Sequence, residues 1–386
     1  MSASPTQPEL TESGAIEQAK QFVKEGRADK VAELLRHSRT FFANLPRSKS
    51  ANIIRTLIEL TGQIPNTERA RIDMCKEWIG WTVSEERTFL RLRIEVTLAS
   101  LYLEVKDYVP MRELIEKLLK EVKRMEDHRL LVEIHLLESQ LMLALHDVPK
   151  SRAALTQAKT EANAVYMPPV MQAKLDLQSG LLHAAERDHK TAYSYFYEAF
   201  ENFDNLKLAE AALCLKYLLL GKIMMNKPEE VSALLTGRIA LKYAGRDVDA
   251  MKQIASAQEK RSLHEFQKVL KAFPAELTED EHVNVHLQSL HDTLFESHLK
   301  RIIEPFSCVE IDHVAHLIGL PVDEVETKLS EMILDKKLTA ILDQETRCLN
   351  VFAEVTEDKT YQHSIATLDS LNKVLDALSQ KATLIK

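Results

Sequence analysis

Short polar breaks recur along the first 230 residues at intervals of roughly forty, and this spacing constrains the fold more than any other feature. They read "EGRADK" (25–30), "IPNTER" (64–69), "VKDY" (105–108), "LHDV" (145–148), "ERDH" (186–189) and "NKPEE" (226–230). Between them apolar residues return every three or four positions. In "MRELIEKLLKEVKRM", Met111, Leu114, Leu118 and Val122 fall on one helical face. Only 9 of 386 residues are glycine, and the helix formers Leu, Ala, Glu, Lys and Gln dominate. Almost everything before residue 300 is therefore expected to be helix. A fixed period holding two helices per unit predicts an α-solenoid, in which each unit buries its apolar face only by stacking on its neighbours.

The clearest unit runs "LQSGLLHAAERDHKTAYSYFYEAFENFD". Gly180 is small enough for close helix contact, and Tyr193, Phe196, Phe200 and Phe203 form an aromatic stripe beside Ala192 and Ala199. Small residues beside aromatic ones suit a second TPR-like helix, with the stripe as packing between units. The double proline in "NAVYMPPVMQ" must fall between helices, because proline lacks the N–H and clashes with the preceding turn. The expected fold is all-α dominated: a right-handed TPR-like solenoid, then a winged-helix module with a small β-hairpin, then a C-terminal helix. The boundaries read as 1–14 for a disordered N-terminus and 15–270 for the solenoid. Residues 271–355 read as the winged helix, and 356–386 as a linker and terminal helix.

The winged helix rests on a change of pattern after "HVNVHLQSLHDTLFESHLKRIIEPF". A short strand is expected at Cys308–Val309, a helix at Ile311–Ile318, a turn at Gly319-Leu320-Pro321 and a helix at Val322–Lys337. In that last helix Val325, Leu329, Met332 and Ile333 form the buried face. "LTAILD" and "RCLNVF" then alternate as a hairpin about "QET". Such a module often reads DNA, yet Asp323, Glu324 and Glu326 crowd the start of the recognition helix, where base and phosphate contacts are made. Acids there suit the helix dipole and repel a duplex. The net charge of −8 points the same way, since duplex binding draws its affinity from phosphate neutralisation.

Catalytic patterns are missing: no GxxxxGK[ST] loop, no GxSxG elbow, no HExxH helix. His282 with His286, and Cys308 with His313 and His316, do not supply the four ligands of a closed zinc site. No enzyme activity, metal or cofactor is expected. Cys75, Cys214, Cys308 and Cys348 lie far apart, which suits buried thiols in a reducing compartment. With no signal-peptide pattern and no apolar run of eighteen, the chain reads as intracellular, cytoplasmic and nuclear, with no membrane partner.

Two features suggest protein partners. From Leu34 to Ile58 the chain carries Arg36, Arg39, Arg47, Lys49 and Arg55 with no acid, around Phe41 and Phe42. This stretch is either a solvated face or a contact for an acidic surface. In the terminal helix Ile365, Leu368, Leu371, Leu375, Leu378, Ala382 and Ile385 hold a three–four spacing that keeps one seam apolar. Burying that seam would gain on the order of 10 kcal/mol gross; the helix could dock on its own domain, but its place after a polar linker at the chain end favours an intermolecular helical bundle.

A solenoid feeding a winged helix and a terminal helix is the layout of PCI proteins, which scaffold the proteasome lid, the signalosome and a translation initiation complex. "CKEWIGWTVSEERTFLR" (75–91), "LLESQLMLALHDVPKSRAALTQAKTEANAVYMPP" (136–169), "KTAYSYFYEAFENFD" (190–204), "RIIEPFSCVEIDHVAHLIGL" (301–320) and "KLSEMILDKKLTAILDQ" (328–344) resemble the proteasome non-ATPase regulatory subunit 11 family. The resemblance runs from about residue 15 to the end. It implies a non-catalytic lid scaffold without nucleic acid, whose winged helix joins those of sister PCI subunits edge to edge through Thr339, Ile341, Asp343, Leu349 and Val351. It also implies that Leu368, Leu371, Leu375 and Leu378 enter the lid's helical bundle, and that the N-terminal solenoid reaches past an ATPase-ring subunit to a core-particle α-subunit. Family members carry more helix ahead of the matching region than "MSASPTQPELTESG" supplies, so the first helical repeat is expected to be lacking, and the core contact is then either lost or made by other residues. Pro321 stands where a capping Ser is expected, and proline suits a first helical turn.

Overall fold

The computed structural model describes residues 17, 20–23, 30, 33–34, 36, 47–62, 68–235, 240–243, 245–278, 280–319, 321–343, 347–352 and 359–384. The expected disordered N-terminus and most of the breaks at 25–30 and 64–69 lie outside them, as do Arg39, Phe41, Phe42 and Ile385. Two compact units are resolved. The first holds residues up to Ala255 together with Ala275–Val283, and the second holds Ser256–Pro274 and Asn284 onward.

The first unit is a run of antiparallel helices: α1 (Arg47–Thr61), α2 (Glu68–Ser84), α3 (Thr88–Val105), α4 (Tyr108–Val122), α5 (His128–Ala144), α6 (Val148–Ala164), α7 (Pro169–Ala185), α8 (His189–Leu206), α9 (Glu210–Met224) and α10 (Pro228–Leu235). A 3-10 turn (Ala240–Tyr243), α11 (Arg246–Glu259) and the short α13 (Pro274–Thr278) follow, with α12 (Leu263–Ala272) between the last two. The breaks read from the sequence at 105–108, 145–148, 186–189 and 226–230 are turns. Three others, near 86, 126 and 207, carry no glycine or proline and gave no sequence signal.

One backbone device makes nearly all these turns. Glu86, Lys106, Glu126, His146, Arg187, Lys207 and Asn226 each take a left-handed conformation, with φ between 54° and 65°. They stand one per helix end, about twenty residues apart, except where the Pro168-Pro169 turn replaces one. Because none is glycine, each costs roughly 1–2 kcal/mol of backbone strain. The conformation lets the chain close on itself: at Lys106 the N–H reaches Leu103 O at 3.1 Å, and the next N–H, of Asp107, reaches Tyr102 O at 2.9 Å. An aspartate then commonly starts the following helix. Asp127, Asp147 and Asp188 accept from the N–H groups of Leu130, Lys150 and Thr191, each at 3.3 Å, satisfying donors that a helix start leaves open.

Packing follows the apolar faces. Phe196, Phe200 and Phe203 of α8 are buried. A Cβ on Gly180 of α7 would stand 2.5 Å from the Phe196 ring, so this glycine is what lets the two helices close. Every second helix from α3 to α9 also buries an ionisable side chain at the same place in the forty-residue register. Glu95 (α3), His135 (α5), Asp176 (α7) and Lys216 (α9) are 1, 2, 4 and 6 % exposed, forty or forty-one residues apart. Each has partners inside the unit. Lys117 reaches Glu95 at 3.5 Å, His135 Nδ1 meets Glu138 at 2.9 Å and Gln172 donates to Asp176 at 3.1 Å. Lys216 donates to Glu276 O at 2.6 Å. Burial pushes the Glu95 carboxyl up against the pull of Lys117 and Arg91. It raises Asp176 to about 6, with Glu198 adding to the effect.

In the second unit Ser262 accepts from the Glu265 N–H at 3.4 Å to start α12, and the long α14 (Glu281–Ile303) leads to the winged helix. There β1 (Cys308–Glu310), α15 (Ile311–Ile318), α16 (Val322–Leu334), β2 (Ala340–Asp343) and β3 (Cys348–Val351) follow in order. Gly319, at φ 77°, closes α15. The sequence placed the end of α16 at Lys337; it stops three residues earlier, because Lys336 turns left-handed (φ 57°) and the Lys337 N–H returns to Met332 O. The sheet is antiparallel in the order β1-β3-β2. Val309 and Leu349 of the sheet, Val314 of α15 and Val325, Leu329 and Met332 of α16 are all buried. A last helix, α17, spans Lys359–Leu384. The fold is an α-solenoid with a winged-helix module, as the periodicity indicated.

Candidate protein-docking surfaces

The winged-helix sheet presents strand β2 at one edge. Ile341 pairs with Asn350, Leu342 with Leu349 and Asp343 with Cys348. Side chains alternate, so Leu342 points with Leu349 toward the helices while Ile341, 59 % exposed, faces outward. Thr339, just ahead of the strand, donates from Oγ1 to Phe352 O at 2.9 Å and accepts the Phe352 N–H through its carbonyl. These two bonds pin the end of the hairpin. Two of the expected edge residues are elsewhere: Leu349 and Val351 belong to β3, the central strand, paired on both sides, and Leu349 is fully buried. Alternation in sequence shows which residues share a face but not which strand ends up in the middle.

Helix α17 is the opposite of a core element. Every side chain described along it is exposed, and Ile365, Leu368, Leu371, Leu375 and Leu378 are each more than half open to solvent. Tyr361 and Val374 are equally open and extend the seam; the three–four reading passed over both. Water around seven large apolar groups on one helix is unfavourable, so this surface is built to be covered.

The N-terminal basic stretch is partly spent inside the first unit. Arg36 donates from Nε to Glu77 at 2.9 Å, and Arg55 adds its positive field, with Arg93, to the buried environment of Glu133. Lys49 and Arg55 are exposed, Arg47 lies in the first turn of α1 and Arg39 is outside the described residues.

Around the recognition helix two cations, Lys328 and Lys337, are held by acids. Lys328 lies 3.0 Å from Glu331 and 3.6 Å from Glu296, and Lys337 lies 2.9 Å from Glu296. Asp323 and Glu324 remain exposed at the helix start, an arrangement that offers a phosphate backbone little. Among the described residues no group of three His, Cys, Asp or Glu could hold a metal ion. None of the described helices is long and apolar enough to cross a membrane.

Comparison with known proteins decides the kinship. Residues 3–105 match the family model described as 26S proteasome regulatory subunit RPN6 N-terminal domain, and residues 270–353 match that of the PCI domain. A protein of Schizosaccharomyces pombe named probable 26S proteasome regulatory subunit rpn6 is 48 % identical, over 92 % of this chain and 85 % of its own length. This chain belongs to the Rpn6 family. Within that family, the 26S proteasome non-ATPase regulatory subunit 11 homolog of Arabidopsis thaliana is 46 % identical over 98 % of the chain and 90 % of its own length. The 26S proteasome regulatory subunit RPN6 of Saccharomyces cerevisiae is 40 % identical over 97 % and 87 %. The match to the N-terminal Rpn6 domain begins at residue 3, ahead of the point near 15 where the resemblance was first legible.

Proposed function

We propose that this Rpn6-family chain is a non-catalytic scaffold subunit of the 26S proteasome lid, helping to hold lid, ATPase ring and core particle together for ubiquitin-dependent protein degradation. The observation that carries this reading is α17: 26 residues with an apolar seam that no described residue covers, at the end of a chain related to proteasome regulatory subunits over nearly its whole length. In this proposal the seam enters a bundle of helices from other lid subunits. The β2 edge, with Thr339, Ile341 and Asp343, adds a neighbouring PCI subunit's strand, since an edge strand offers unpaired backbone groups to pair with. The solenoid, with Lys49 and Arg47 on its basic stretch, faces an ATPase-ring subunit and a core-particle α-subunit. Such a subunit works in the cytoplasm and nucleus and needs no cofactor.

Removal of residues 359–386 tests the reading. The truncated chain is expected to keep its helical circular dichroism and to disappear from lid affinity-purified from cells. Recovery of the truncated chain in complete lid overturns it. The other PCI assemblies, the signalosome and a translation initiation complex, are separated by which subunits co-purify. A nucleic-acid regulator would shift random duplex at low salt, which the acidic recognition helix is expected not to do.

A further inference from the structure

Cys308 and Cys348 stand forty positions apart in the sequence and meet on the outer face of the winged-helix sheet. The register sets Cys308 opposite Asn350 and Glu310 opposite Cys348. The two cysteines are therefore diagonal neighbours on adjacent antiparallel strands, and alternation sends both side chains to the face away from Val309 and Leu349. The Cys348 thiol is near enough to act on the Cys308 thiol, whose pKa it raises. Cys308 is exposed and Cys348 half-buried, whereas Cys75 and Cys214 are buried. The expectation of four buried thiols far from one another thus holds for only two of them.

We propose that Cys308 and Cys348 are a site of reversible oxidative modification, closing to a disulfide across β1 and β3 when the protein meets a hydroperoxide. In the first step the sulfur of Cys308, the more accessible thiol, attacks the peroxide oxygen. The O–O bond breaks, a sulfenic acid forms and the thiol proton leaves with the second oxygen as water. In the second step the Cys348 sulfur attacks the sulfenic sulfur. An S–S bond forms and the S–OH oxygen leaves as a second water with the Cys348 proton. Two thiols lose two electrons and two protons in all, and one hydrogen peroxide takes them up as two waters.

The surroundings set the kinetics. Partial desolvation, Cys348 itself and the carboxylate of Glu310 all push the Cys308 thiol up, so little thiolate is present at neutral pH and closure is slow. Thiols that ionise reluctantly are also poor leaving groups, so the bond persists once formed. Cys75 and Cys214, pushed up to about 11 and about 12 by burial, are shielded from the same reaction. The closed loop encloses α15, α16 and β2, so the bond restrains the winged helix against local opening.

The test uses the full-length chain treated with hydrogen peroxide, alkylated, digested without reductant and mapped by mass spectrometry. The expected result is a Cys308–Cys348 linked peptide that dithiothreitol dissolves, with Cys75 and Cys214 still alkylated. Hydrogen exchange at the Val309 and Leu349 amides is expected to slow at least tenfold in the oxidised protein. Cys348→Ser should instead leave Cys308 at the sulfenic or sulfinic stage with exchange unchanged. Absence of the linked peptide in the folded wild type, or a Cys348 that stays alkylatable while Cys308 over-oxidises, overturns the proposal. So does a linked protein whose exchange at β1 and β3 is no slower.

Discussion

The helices of the first unit and the terminal helix α17 invert each other's chemistry. Glu95, His135, Asp176 and Lys216 are charged or polar and lie inside. Leu368, Leu371, Leu375 and Leu378 are apolar and lie in water. The difference is one of neighbours. Each buried polar group of the first unit has a partner, on its own helix for His135 and Asp176 and on another helix for Glu95 and Lys216, and that partner offsets part of the cost of burial. No described residue covers the apolar seam of helix α17, and in the proposed function another chain does so.

The largest effect expected is on assembly. Leu371→Asp with Leu375→Asp should reduce recovery of the chain in affinity-purified lid more than a hundredfold. The thermal midpoint of the isolated protein should not move, because both side chains are already exposed. A fall in that midpoint would show that the seam is core after all, and the comparison would collapse.

Next comes close packing in the solenoid. Gly180→Ala forces a methyl group against the buried Phe196 ring and should cost about 2 kcal/mol in urea unfolding. Pairing it with Phe196→Leu should recover part of the loss, and no recovery would mean the contact is not the cause.

The buried carboxylates predict an unusual pH profile of similar size. Asp176 has its folded value raised to about 6 from an ordinary 3.8, so its charge penalises the folded state above pH 6. That penalty is relieved as pH falls from about 7 toward 4, and over this window the group adds stability rather than removing it. Asp176→Asn should stabilise the chain by on the order of 2 kcal/mol at pH 8 and by almost nothing at pH 4. Equal effects at both pH values, measured by urea unfolding, would show that the group is not buried in its charged form.

The smallest effect concerns the turns. Lys106→Gly relaxes a left-handed residue with φ 63° and should gain about 0.5 kcal/mol, strain relief being partly cancelled by the freer unfolded chain. A loss of stability would mean that Lys106 contributes something beyond its backbone.

Much of the fold was legible because local rules and tertiary demands agree. Leu118 and Val122 return at helical spacing, Gly180 allows α8 to approach, and Gly319 closes α15. The turns near 86, 126 and 207 were not legible, since a left-handed Glu or Lys looks in sequence like any surface residue. The polar column was also missed. A buried Asp176 differs from an exposed Asp only in what its neighbours cover, although its forty-residue register with Glu95, His135 and Lys216 was present to be counted.

Of the candidate surfaces, the terminal seam could be read from spacing alone, because a helix fixes which residues share a face. The sheet edge could not. Sequence alone determined the helical repeat, the winged-helix order, the acidic recognition helix and the apolar seam, all products of short-range periodicity and charge. Tertiary structure decided that β3 is the central strand, that Arg36 is held by Glu77, and that Cys308 lies diagonal to Cys348 on the sheet. Each of these joins residues about forty positions apart or depends on strand order, and no local pattern of side chains specifies which distant backbone a strand will pair with.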